Sequence, residues 1–190
     1  MIEKIINEIN EALSHNLYFA ALSLVLTLPD ICGKAEYPKA GISERYIKWY
    51  NEHIGQYDRC HCDNCNKVQM PYLSGEVVYN LRNSFLHQGT PNIDRSKIKN
   101  PSNQLDEFTL VIDKKNDFDI YSDAAGIAES DAGKHRSYRV NVRRMCLITT
   151  LAAKDYYYKN KDKFDFFNYK ILDWDKEVEN LHRLNIVWEK

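Results

Sequence analysis

Apolar residues recur at three- and four-residue intervals over most of this chain, the signature of helices that bury one face. Ile2, Ile5, Ile6, Ile9, Ala12 and Leu13 mark the first face, with Glu3, Lys4, Glu8 and Glu11 mostly opposite. The next run, LYFAALSLVLTL, is apolar nearly all round and predicts a helix at the centre of a bundle. Ser14 is placed to cap that helix and Pro29 to stop it. After a loop with Gly33, Pro38 and Gly41, Ser43 predicts the start of a third helix. It carries Tyr46, Ile47, Trp49, Tyr50 and Ile54, with Gly55 as its cap. A polar, cysteine-rich connection over 56–73 leads to Ser74, the expected N-cap of a fourth helix. Val77, Val78, Leu81 and Phe85 face inward there, and Gly89 ends it.

A long loop, Thr90 to Gln104, precedes a change of period. Phe108, Leu110 and Ile112 alternate with Thr109 and Val111, DKKND supplies a turn, and Phe118, Ile120 and Tyr121 follow. This pattern predicts a β-hairpin. SYRVNV is either a third strand or the lead-in to a fifth helix, which carries Val142, Met145, Cys146, Thr149, Ala152, Ala153 and Tyr156. A last amphipathic helix is expected around Lys176 to Leu184. The expected fold is mainly α: one domain over 1–190, an up-and-down helical bundle with a small β-hairpin insertion at about 90–140.

Composition narrows the function only a little. With 26 basic and 27 acidic residues the net charge is -1, so any nucleic-acid site has to be a local patch. The longest apolar stretch, Leu17 to Leu28, is short for a membrane span and is interrupted by Ser23 and Thr27. The N-terminal MIEKIINEINEAL alternates Ile with charge and does not resemble a signal peptide. The expected location is therefore cytoplasmic, without a membrane partner, and the five Cys are expected as thiols or metal ligands. P-loop, GxGxxG, HExxH and GxSxG motifs are all missing, which weighs against an NTPase, a dinucleotide enzyme, a zincin and an α/β-hydrolase.

The most informative segment is YNLRNSFLHQG, residues 79 to 89. On a helix Asn83 and His87 are four apart and share a face, and the long Arg82 side chain reaches the same region. Gly89 places His87 in the last turn, where the helix dipole favours an imidazolium. An Arg that fixes a phosphate beside a His that exchanges a proton makes a phosphodiester-cleaving pair. The same spacing also suits a helix-end capping pair with no chemistry. In a chain with 9 Arg and 6 His, an Arg followed by a His five to seven positions later arises roughly once by chance. Asn directly after Arg cuts the expectation to about a few per cent.

Arg82-Asn83-x-x-x-His87 within GEVVYNLRNSFLHQG resembles the motif of the HEPN superfamily (higher eukaryotes and prokaryotes nucleotide-binding). The resemblance is specific over about a dozen residues and extends over the rest only through helical character. It implies an up-and-down bundle that forms a homodimer, with two Arg–His pairs meeting at one cleft. It further implies metal-independent RNA cleavage, in toxins with a cognate antitoxin protein or in phage-defence effectors. Other members bind nucleotide, RNA or a protein partner without cleaving. By this resemblance Arg82 stabilises charge on the scissile phosphate and His87 is the general acid or base. Asn83 orients His87 or holds a phosphate oxygen.

Two further clusters stand apart from that motif. Cys60, Cys62 and Cys65 form C-x-C-x-x-C, and with His53 upstream they would complete a closed zinc site that staples the loop. Cys32 is a second candidate for the fourth ligand, and a solvated loop of clustered thiols is the plain alternative. Lys134, His135, Arg136, Arg139, Arg143 and Arg144 are the densest basic cluster. On a helix, Arg136, Arg139 and Arg143 would form one stripe able to track an RNA backbone, or a face paired with acids. A smaller basic run, Arg95 to Lys99, is in reach of His87. Asp113, Asp117, Asp119 and Asp123 are expected on turns and solvent faces, and Tyr156 to Tyr158 in packing.

Overall fold

A computed structural model describes residues 1–114, 123–131 and 133–183. It is mainly α, with one small sheet. Helix α1 (Ile2–Ser14) buries Ile2, Ile6, Ile9 and Ala12 as its periodicity requires. Ser14 is the last residue of α1 rather than a cap of the next helix. The reversal is made by Asn16 at φ 58, a conformation Asn tolerates, and its side-chain oxygen accepts from Tyr18 Oη at 2.8 Å.

The apolar run then forms two helices, α2 (Tyr18–Val25) and α3 (Leu28–Glu36). Pro29 starts α3 instead of stopping α2, because a proline in the first turn gives up no helical hydrogen bond. Gly33 is therefore helical. Taken together Tyr18–Glu36 is long and apolar enough to cross a membrane by length and composition, yet Leu22, Val25, Leu26, Leu28 and Cys32 are buried inside this fold. Helix α4 (Ile42–Tyr50) starts from Gly41, two residues before the expected Ser43 cap. It continues into a π-helical turn (Asn51–Gly55) and α5 (Gln56–Asp58), so Gly55 is not a terminus.

Two glycines let the helices beside α4 touch its backbone. A Cβ on Gly33 would lie 2.6 Å from the Arg45 carbonyl oxygen, and one on Gly75 2.5 Å from that of Ile47. Gly75 opens α7 (Gly75–Gln88), which follows the short α6 (Asp63–Val68). The signals that predict α7 are realised: Ser74 Oγ accepts from the Val77 N–H, and Gly89 caps the end at φ 70. Helix α8 (Val142–Lys159) packs on α1, α2 and α3. Trp49, Tyr46, Tyr50, Ile2, Ile9, Leu22 and Leu81 are fully buried in one contiguous core. Helix α9 (Trp174–Arg183) ends the described chain.

The sheet has the order β1 (Glu107–Val111), β3 (Gly133–Asn141), β2 (Ala124–Ser130). The expected hairpin partner of β1 at Phe118, Ile120 and Tyr121 lies outside the described residues. β1 pairs in parallel with β3, Phe108 opposite Tyr138, and the antiparallel hairpin is β2 with β3. SYRVNV fills both of its expected roles. It is the end of β3, and Asn141 caps α8 by accepting from the N–H groups of Arg143 and Arg144.

Candidate catalytic site at the end of helix α7

The last turns of α7 bring Arg82, Asn83 and His87 into direct contact. Arg82 Nη1 donates to Asn83 Oδ1 at 3.0 Å and lies 3.1 Å from His87 Nε2. A guanidinium has no acceptor, so Nε2 accepts and the ring of this arrangement carries its proton on Nδ1. His87 is exposed, whereas the Arg82 side chain is only 19% exposed and its Nε is buried without a partner. The cation is thus rooted in the fold and presents its tip to a ring at the surface.

Asp30, in the first turn of α3, anchors the other side of this cation. Its Oδ1 accepts from Arg45 Nε at 3.0 Å and Nη2 at 2.8 Å, and its Oδ2 lies 3.9 Å from Arg82 Nη2. An ionic chain therefore links α4, α3 and α7 through Arg45, Asp30 and Arg82. The sequence alone does not expose Asp30 as part of the site. An acid in a first turn looks like an ordinary helix-start charge, and only the packing of α3 and α7 on α4 brings it to its two arginines.

Beside His87 lies a cleft of about 730 Å³ between α4 and α7. Ile47 and Tyr79 give it an apolar wall, and Asn83 and His87 line it. Lys48, Lys97 and Lys99 bring positive charge to it and Glu44 and Glu76 negative charge. The two loop lysines are held there because the loop from Thr90 to Gln104 is docked on α7. Asn80 donates to the Asp94 carbonyl at 2.9 Å and accepts from the Asp94 N–H at 3.0 Å. Arg95 of the same run pairs with Asp106 instead.

The second basic cluster does not form a stripe. Arg136 and Arg139 lie on β3, three residues apart and so on opposite faces, and Arg143 and Arg144 lie in the first turn of α8. Arg136 is buried and donates to the carbonyls of Gln104 at 3.0 Å, Gln69 at 2.5 Å and Ser102. Burial lowers its pKa. Arg143 donates to the Asp113 carbonyl at 2.8 Å and to Asn16 Oδ1 at 2.9 Å, and stacks over Tyr18. Arg144 pairs with Asp123, which is half-buried rather than on a solvent face. Arg139 is exposed on the outer face of β3. Arg136, Arg143 and Arg144 thus hold loops together, and the four arginines do not share one helical stripe.

The thiols converge, but without the expected histidine. The sulfurs of Cys60, Cys62 and Cys65 all lie within 4.8 Å of one another, a group able to hold a metal ion. His53 stacks on Trp49 at 4.7 Å and meets Tyr156 edge-on at 5.2 Å, so it belongs to the aromatic core. Cys32 is fully buried in that core as well. The cysteine spacing does bring three sulfurs together, whereas His53, in the π-helical turn, has its ring on Trp49.

Comparisons of the chain with protein-family models, with curated proteins and with solved structures give no match.

Proposed function

We propose that this chain is a HEPN-type endoribonuclease that cleaves RNA without a metal through Arg82 and His87, acting in the cytoplasm as a homodimer. One observation carries the reading: an exposed histidine lines a cleft together with Lys97 and Lys99, and a rooted arginine stands 3.1 Å from its ring. The helices would make the bundle of that superfamily. An incoming phosphodiester competes for Arg82. As the Nη1 N–H turns to a phosphate oxygen, His87 Nε2 is freed to take the proton of the RNA 2′-hydroxyl. The 2′ oxygen then attacks phosphorus, and the 5′ oxygen leaves with a proton supplied by the second His87 of the dimer, which enters this step as the imidazolium. The products are a 2′,3′-cyclic phosphate and a 5′-hydroxyl. DNA lacks the attacking hydroxyl and survives. The resemblance extends the proposal to a toxin restrained by an antitoxin protein, or to a phage-defence effector.

A second reading has its own support. Arg82 already satisfies Asn83, His87 and Asp30 within the chain, which is what a non-catalytic module binding nucleotide, RNA or a protein partner requires. A zinc ion at the three thiols is a separate proposal, since it concerns a loop and not the reacting phosphate. Labelled single-stranded RNA incubated with excess EDTA separates the two readings of the site. Cleavage by the wild type and none by His87→Ala, with cyclic phosphate ends, supports the nuclease. Tight RNA binding with no cleavage by either supports the module. A loss in EDTA that Cys62→Ser reproduces without chelator reports the thiol loop rather than the chemistry.

A further inference from the structure

We propose that Cys60, Cys62 and Cys65 are a three-thiolate site for one zinc ion, and that this ion fixes the conformation of residues 59–69. The argument begins with a segment that has no core of its own. None of the described side chains from Arg59 to Gln69 is buried, yet the segment contains the helical turn α6. Its two ends are fixed. Asp58 Oδ2 accepts from the Leu73 N–H and from Tyr138 Oη, both at 2.8 Å, and Arg136 holds the Gln69 carbonyl. Between these anchors nothing apolar holds the excursion in place, and a short helical turn is unstable alone in water. Small segments of this kind are stabilised by a cross-link, and the residues placed to make one are the three thiols.

The sulfur geometry fits. Zinc–sulfur bonds of about 2.3 Å in a tetrahedron give sulfur–sulfur edges of about 3.8 Å. Cys60 Sγ and Cys62 Sγ are 3.4 Å apart, and all three sulfurs are within 4.8 Å. The Cys65 N–H points at Cys62 Sγ from 3.3 Å, the outer contact that steadies a ligating thiolate. Among the described residues no His, Asp or Glu joins the group. A set of thiolates alone selects a thiophilic ion over magnesium or calcium. Cys60 and Cys65 border a polar cavity of about 200 Å³, which has room for water as the fourth donor.

The test uses the full chain purified under reducing conditions without chelator. Elemental analysis is expected to find one zinc per chain, and cobalt exchanged into the site is expected to give thiolate charge-transfer absorption. Cys62→Ser and Cys65→Ser are expected to lose the metal while circular dichroism shows the helices retained. His53→Ala is expected to keep it, since His53 lies in the aromatic core. Removing zinc is expected to speed trypsin cleavage after Arg59 and Lys67, both exposed, by roughly tenfold. Folded wild type that takes up no stoichiometric zinc overturns the proposal, as does uptake that survives Cys62→Ser. A disulfide among these cysteines in protein prepared without oxygen overturns it too. RNA cleavage is read out separately, so this site and the α7 site stand or fall independently.

Discussion

Arg82 and His87 restrain each other: the guanidinium fills the lone pair of His87 Nε2 from 3.1 Å, on the ring nitrogen that a proton transfer needs. The resting pair is therefore self-occupied, and in the proposed reaction a substrate phosphate would separate it. Replacing His87 with Ala is expected to lower RNA cleavage by about 10²–10⁴-fold, the usual worth of a positioned acid–base group. Arg82→Lys keeps the charge but loses the fork that reaches Asn83, His87 and Asp30 at once, so it is expected to lose nearly as much. Single-turnover cleavage rates check both, and wild-type rates in Arg82→Lys would remove the arginine from the chemistry.

In the proposed reaction Asp30 would position Arg82 rather than react. Asp30→Asn is expected to keep the fold but leave Arg45 and Arg82 without their counter-charge, at a cost of about 1–3 kcal/mol in urea unfolding. The cleavage rate is expected to fall more than RNA affinity, because Arg82 loses its anchor while the cleft lysines remain. An equal fall in both would place Asp30 in substrate binding.

The contact of Gly75 with Ile47 has a direct mutational consequence. A Cβ there meets backbone, which cannot swing aside, so Gly75→Ala must push α7 away from α4. The expected loss is about 1–3 kcal/mol of stability by urea or thermal unfolding. Unchanged stability would show that the two helices are free to separate.

Acid is expected to loosen the end of α8. His53 is held below its ordinary imidazole value of 6.5, first by burial against Trp49 and Tyr156. Glu36 is held below its ordinary carboxylate range by hydrogen bonds from Lys163 and Tyr156. Both groups have folded-state values below their unfolded ones, so each contributes stability at high pH that is lost as pH falls through its folded value. The histidine part is lost first, from about pH 6.5 downward, and the Glu36 part below the ordinary carboxylate range. Thermal unfolding against pH checks this. His53→Phe keeps the stacking and is expected to flatten the upper part of the curve only.

The sequence reveals α7 best, because both its ends are written in local chemistry: a serine that accepts from the Val77 N–H and a glycine free to adopt positive φ. Pro29 is misread from sequence because the same missing N–H suits the end of one helix and the start of another. The arginine stripe fails because the backbone changes period at Asn141, and two residues that share a helical face point oppositely on a strand. Arg82, Asn83 and His87 are legible because they lie within one turn and a half of one helix. Asp30, the docked lysines and the displacement of His53 are products of packing between elements distant in the chain, which no local pattern encodes.

The glycine contacts on both flanks of α4 set how this molecule can respond to a ligand. With Gly33 against the Arg45 carbonyl and Gly75 against the Ile47 carbonyl, three helices meet with backbone as the nearest neighbour on both seams. Arg45, Asp30 and Arg82 are therefore carried on three helices in close backbone contact. If the cleft takes the proposed substrate, the helices would act as a mould already cast, and adaptation would fall to Lys97, Lys99 and the His87 ring. Recognition there would then be selective by rejection, since a ligand that did not match the cleft could not draw the helices toward it.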